Sequence, residues 1–319
     1  MNERIVGPMI VGAWIAITGC GGEPGTGMAD DGGTQGSDAG TNGAGADDAE
    51  ADDAGNSLQP QIPSVSGACP TFAAGDLTFS PAGIEPRMAR VWMDPAAFDG
   101  GGRLQFYFHG TGGSPDEATW AYGNEWIAAA VADGAIVVAP FNDPATGEFP
   151  WWSTNGDDRP DDFLVMDEIV ACAVQDVGID PHRIHLAGFS AGGMFTGQAS
   201  YRRSNYLASV VVFSGGFYAP SAAPTDAEPQ NLFSAMVVHG GPGDEYGGII
   251  NFLESSGYYM DALRDAGRFV VECDHGMGHT IGNEQQSIHM FYDDHPWGTS
   301  PSPYAGGLPA GFIDECFVP

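Results

Sequence analysis

The chain has 319 residues, with 42 Asp or Glu against 10 basic side chains and a formal charge of −32. All of the basic residues are arginine, and there is no lysine. A field of that sign repels phosphate backbones and anionic headgroups, which argues against nucleic-acid binding, a polybasic membrane patch and polyanionic substrates.

Met1 to Cys20 opens with Glu3 and Arg4, runs apolar from Ile5 to Ile17 and closes with "ITGC". Gly7, Pro8 and Gly12 interrupt the run, and it is too short for the roughly 20 apolar residues a bilayer requires, so an export signal is expected. Its end resembles a bacterial lipobox, which would make Cys20 the acylated first residue of the mature chain. The competing reading is an ordinary secretory signal. Residues 21–66 are mostly Gly, Ala, Asp, Ser and Thr, with nine acids and no basic residue. Such a segment cannot bury a core and is expected to be a disordered tether. Beyond Cys20 the cysteines are Cys69, Cys172, Cys273 and Cys316, an even set that suits two disulfides in an oxidising compartment. Of the three pairings, the favoured one joins Cys69 to Cys316, tying the ends of one domain, and Cys172 to Cys273.

Residues 67–319 hold every tyrosine and every tryptophan but Trp14, enough for one large core. The runs "RLQFYF", "AIVVA", "RIHLAG", "ASVVVFS" and "SAMVVHG" are continuous and apolar, as expected of strands covered on both faces. A helix is predicted from Ser114, with Pro115 at its first position and Glu117 completing a capping box. A second is predicted over "DDFLVMDEIVACAVQDVG", with Phe163, Met166, Val170, Val174 and Val177 on one stripe and Gly178 as its stop. Alternating strands and helices imply a mostly parallel α/β sheet, helices on both faces, and ligand sites at the carboxyl ends of its strands.

Gly188-Phe189-Ser190-Ala191-Gly192 follows the strand "RIHLA" and precedes a helix-compatible stretch. That is the setting of a nucleophile elbow, in which flanking glycines permit a sharp turn that lifts the serine hydroxyl off the sheet. Ser214 in "VVFSGG" is the competitor, but it has no preceding glycine and reads better as a strand end. On such a fold the acid and then the histidine follow the serine along the chain. After the strand "FVVEC" comes "DHGMGHTI", where His279, flanked by Gly278 and Thr280, is preferred over His275 as the base. Two glycines between these histidines oppose the helix that a metal site with this spacing would need, so no metal is expected. Asp244 in "GPGDEYGG" is the expected orienting carboxylate, ahead of its neighbour Glu245 and of Asp274. The backbone N–H groups of Ala191 and of Thr111 in "HGTGGSP", with Gly112 as second choice for the latter, are the expected oxyanion donors. Trp151 and Trp152 follow "AIVVAP" on the ligand side, and one of them is a candidate lining of the cleft; their competing role is loop packing. Trp120 and Trp126 read as helix-packing residues.

"HGTGGS", "GIDPHRIHLAGFSAGG", "VVHGGPGD" and "GMGHT" occur in one order at compatible distances. Together they resemble the polyhydroxybutyrate depolymerase and feruloyl esterase-like branch of the secreted α/β-hydrolases, over residues 67–319. The resemblance implies an α/β-hydrolase fold and carboxylic-ester hydrolysis without metal or organic cofactor. The family's serine, acid and histidine fall on Ser190, Asp244 and His279, and its oxyanion donors on Thr111 and Ala191. The acid loop "HGGPGD" is one residue longer than the family's usual spacing.

The expected protein is thus a signal over residues 1–20, a tether over 21–66 and a catalytic domain over 67–319. It is expected to be an exported serine esterase at the cell envelope or secreted, monomeric, acting on a small or polymeric ester and touching membrane only through its lipid. Its rivals are a peptidase or thioesterase on the same triad, and an inert binding lipoprotein.

Overall fold

The structure, a computed structural model, describes residues 58–98 and 100–319. The expected signal with Cys20, and the tether as far as residue 57, lie outside the described residues. The strands are β1 (Gly75–Phe79), β2 (Arg87–Trp92), β3 (Leu104–Phe108), β4 (Ile136–Pro140), β5 (Ile184–Phe189), β6 (Ser209–Phe213), β7 (Ser234–His239), β8 (Glu245–Tyr246), β9 (Ile250–Asn251), β10 (Val270–Asp274) and β11 (Cys316–Phe317). The helices are α1 (Ala118–Ala121), α2 (Asn124–Ala132), α3 (Asp161–Cys172), α4 (Ala191–Arg202), α5 (Phe252–Asp265) and α6 (Gln285–Asp294).

Nine strands form one sheet in the order β1-β2-β4-β3-β5-β6-β7-β10-β11, while β8 and β9 pair as a separate hairpin. The six strands from β4 to β10 run parallel, and β1, β2 and β11 add antiparallel edges. The fold class expected from the alternating pattern is therefore the one observed. Side chains alternate across the sheet. Leu104, Phe106 and Phe108 join the core beneath α3, α4 and α5, whereas Tyr107 joins a second core beneath α1, α2 and α6. Covered on both faces, the central strands have no solvent side, which is why they read as unbroken apolar runs.

The single helix predicted from Ser114 is a short 3-10 turn at Pro115–Glu117 followed by α1 and α2, broken at Gly123, whose φ of 79° is not helical. No capping box forms, because Ser114 makes no side-chain cap and the Glu117 carboxylate accepts instead from Gly110 N and Tyr107 Oη, both at 2.9 Å. The second predicted helix is α3, which widens into a π turn over Ala173–Val177 before Gly178.

Residues 58–66, which composition places in the tether, lie against the domain. Gln61 N donates to Asn205 O, Ile62 and Val65 pack on the core, and Ser66 N and Gly67 N donate to the Glu168 carboxylate at 2.8 Å. The side chains of Ile62 and Val65 and these hydrogen bonds together dock this short stretch.

The disulfides are Cys69–Cys172 and Cys273–Cys316, not the expected Cys69–Cys316 and Cys172–Cys273. The reason lies in the faces of the sheet. Cys69 and Cys172 belong to the core under α3, and Cys273 and Cys316 to the opposite core, so either expected bond would have to cross the sheet. Cys273 and Cys316 face each other across the β10–β11 ladder, with Cα atoms 4.0 Å apart.

Candidate active site

Ser190 lies between the end of β5 and the start of α4, with φ 56° and ψ −119°. A non-glycine residue in this region is strained, and the strain is held by what surrounds it. Ser190 N donates to Phe213 O, and Ser190 O accepts from Met194 N as the helix begins. The tightest contact is at Gly192, where a Cβ would stand 1.9 Å from Phe108 O. Only glycine lets α4 start so close to β3.

His279 Nε2 lies 2.9 Å from Ser190 Oγ, and His279 Nδ1 lies 2.7 Å from Asp244 Oδ1. The three residues follow β5, β7 and β10 at the carboxyl ends of the parallel sheet, where β7 and β10 are neighbours and β6 separates them from β5. Asp244 is fully buried, and its Oδ2 accepts from Ser214 Oγ at 2.8 Å and Gly240 N at 2.9 Å. The imidazole of His279 sits between two phenyl rings. Phe252 stacks at 4.3 Å with an interplanar angle of 8°, and Phe189 at 4.7 Å and 25°. That sandwich fixes the ring's plane while the carboxylate fixes its rotation.

The competitors are placed elsewhere. His275 Nδ1 accepts from Met277 N, Glu245 is exposed, and Asp274 accepts from Gly276 N. Ser214, the rival serine, is bonded to the acid.

The loop after β3 meets the serine directly, since a Cβ on Gly110 would lie 3.2 Å from Ser190 Cβ. Gly110 N is occupied by Glu117, but no described residue accepts a hydrogen bond from the N–H of Thr111 or of Ala191. Ala191 opens α4, where a helix leaves its first amides unpaired. Trp151 supports this loop from within. It is fully buried against Phe108 and Phe195, and its Nε1 donates to His109 O at 2.9 Å. Trp152 is also buried, with the Arg159 guanidinium 4.0 Å over its ring. The expectation that one of the pair lines a cleft is therefore corrected; both act in packing.

Trp126, although 38% exposed, packs α2 on α6 by stacking on the His289 ring at 5.2 Å, whereas Trp120, expected to pack likewise, is 74% exposed. Trp120, on α1 ahead of the break at Gly123, stands beside the site. With Glu117, Phe189, His279 and Ile281 it lines a cavity of about 220 Å³. Burial pushes the Glu117 carboxyl above its ordinary value, and the hydrogen bonds from Gly110 N and Tyr107 Oη, with a smaller effect from His279, oppose the shift.

No family model and no curated protein matches the chain. Solved structures do. One described as native pOPH is 21% identical, with 79% of this chain and 97% of that chain covered, at a TM-score of 0.59. A thermostable esterase is 17% identical, covering 70% of this chain and 62% of that one, at 0.52. A ferulic acid esterase is also 17% identical, covering 67% and 94%, at 0.51. The chain has the α/β-hydrolase fold. Of the five residues expected from the sequence of this α/β-hydrolase, hydrogen bonds join Ser190, His279 and Asp244, while Ala191 follows Ser190 and Thr111 follows Gly110, where a Cβ would lie 3.2 Å from Ser190 Cβ. Sequence reasoning missed the supporting ones. Ser214 had a signal, being polar at the end of the strand beside the nucleophile's. Phe252 and Glu117 had none, because the first lies past a hairpin and the second reads as a helix cap.

Proposed function

We propose that the protein is an exported serine hydrolase of carboxylic esters. The observation that carries this reading is the unbroken line from Asp244 through His279 to Ser190, at 2.7 and 2.9 Å. Asp244 keeps the histidine's proton on Nδ1, which leaves Nε2 free to accept. Ser190 Oγ attacks the ester carbonyl as its proton passes to Nε2. The oxyanion so formed takes hydrogen bonds from the N–H groups of Thr111 and Ala191, each worth on the order of 3 kcal/mol in the transition state. His279 returns the proton to the departing alcohol, and a water activated by the same nitrogen releases the acid from Ser190.

Esters rather than amides or thioesters are favoured by the descriptions of the neighbours at TM-scores above 0.5, two of which are esterases. A polyhydroxyalkanoate-type polyester, a feruloyl ester and an acetyl ester are all compatible substrates. Export fits two disulfides, and no helix among the described residues is long and apolar enough to cross a membrane. We assign Cys20 as the lipid attachment point and residues 21–57 as a tether that holds a monomeric domain at the cell envelope.

Ser190→Ala is expected to abolish both turnover of p-nitrophenyl esters and labelling by a fluorophosphonate probe. Labelling that persists in this variant would overturn the assignment. A panel of alkyl, feruloyl and aminoacyl substrates separates esterase from peptidase.

A further inference from the structure

The cavity beside His279 has a composition that the ester-hydrolase reading does not by itself require. Its walls include Phe189, Thr280, Ile281 and the exposed indole of Trp120, and besides the His279 imidazole its one ionisable wall is Glu117. Glu117 holds Gly110 N and Tyr107 Oη with a single oxygen, Oε1. Its Oε2 accepts no hydrogen bond from a described residue, and a Cβ on Gly113 would come within 2.5 Å of it. The carboxylate is partly desolvated, and among the described residues no permanent cation answers it. Among the described residues every arginine except Arg202 is in an ion pair with another acid, and Arg202 lies over Phe163. No arginine lines the cavity. A half-buried carboxylate beside an open aromatic face is an arrangement that favours a positive charge, through direct attraction and through the ring quadrupole. The chain's charge of −32 draws cations toward it from a distance.

We propose that this cavity binds a cationic group on the alcohol side of the ester, so that the preferred substrates are esters of amino or quaternary-ammonium alcohols. This rests on the ester-hydrolase reading above. The cavity is walled by His279, the residue that delivers a proton to the leaving oxygen, so its occupant belongs to the departing alcohol. When the acyl C–O bond breaks, the alcohol leaves as a neutral hydroxyl carrying its cation, with the proton supplied by His279 Nε2. The acyl group stays on Ser190 until water releases it.

The test compares butyrylcholine with its neutral carbon isostere, in which a quaternary carbon replaces the quaternary nitrogen, using the purified full chain at pH 8. The expected kcat/KM for the cationic ester is at least about tenfold higher. Added salt should shrink the ratio, as expected of a charge effect at a partly exposed site. In Glu117→Gln, where the amide oxygen can still accept from Gly110 and Tyr107, and in Trp120→Ala, the ratio should fall toward one. Turnover of both esters at equal kcat/KM, with probe labelling intact, overturns the cation site and leaves the esterase reading standing. A preference for the cation that neither variant reduces overturns the assignment to Glu117 and Trp120. Failure to hydrolyse either ester together with absence of labelling overturns both readings.

Discussion

The hydroxyl of Ser214 donates to Asp244 Oδ2 at 2.8 Å from a backbone held at φ 42°, a conformation few serines adopt. The rival nucleophile is thus a fixture of the acid. Losing one donor to a buried carboxylate costs about 1–3 kcal/mol, and here the acid would keep only Gly240 N on that oxygen. Ser214→Ala should lower kcat/KM by about tenfold or more and slow probe labelling without abolishing it. Unchanged kinetics would show that the bond does not position the acid.

Gly192→Ala sets a methyl group against Phe108 O, a backbone atom of a central strand that cannot yield. Overpacking of this kind should cost about 3 kcal/mol or more, lowering Tm by about 6–12 °C for a domain of this size. A melting curve that matches the parent's would contradict the close start of α4 on β3.

The disulfide pairing has a direct readout because the chain lacks lysine and has no arginine after Arg268. Trypsin therefore leaves Phe269–Pro319 as one peptide containing both Cys273 and Cys316. Without reduction it should appear alone, lighter by two hydrogens, while the peptides of Cys69 and Cys172 travel together. A cross-link between the Cys172 and Cys273 peptides would refute the pairing. Closing these loops stabilises by roughly 4–5 kcal/mol on the chain-entropy account, so reducing agent should lower Tm markedly.

Glu284 is fully buried just before α6, and burial pushes its pKa from 4.5 up to about 7 although nearby backbone amides oppose the shift. The folded state holds this proton more tightly than the unfolded chain. Raising the pH through that window therefore costs stability, by as much as about 3 kcal/mol. Glu284→Gln should flatten that part of the Tm–pH curve and gain most over the parent at pH 8. Parallel curves for the two proteins would dismiss the effect.

How far the sequence carries depends on what each residue faces. The parallel strands are legible because two covered faces leave no polar positions to interrupt them. β2 is not, since "RMARVW" alternates buried and exposed positions and places Arg87 inward, paired with Asp162. α5 is also missed, although Phe252, Ser255, Tyr259 and Leu263 share its buried stripe, because its polar serines dilute the apolar period. Ser190, Asp244 and His279 are readable from glycine-bracketed turns after strands. The cysteine pairing is not, because spacing says nothing of which face of a sheet a side chain takes. Trp120 is misread for a related reason: its place in a helical pattern does not say whether its ring packs inward or stands outward.

Gly240 and Gly278 meet backbone to backbone, with Gly278 N donating to Gly240 O at 3.0 Å and a Cβ on Gly240 placed 1.9 Å from Gly278 O. This contact ties the loop of Asp244 to the loop of His279, and Ser190 N, held by Phe213 O, is joined to the same unit through Ser214, which follows Phe213 and bonds Asp244. Acid and base are therefore coupled as a cartridge, and a fluctuation that carries one carries the other. A substitution that separates these two glycines should disturb the carboxylate and the imidazole together, even though neither glycine carries a reacting atom.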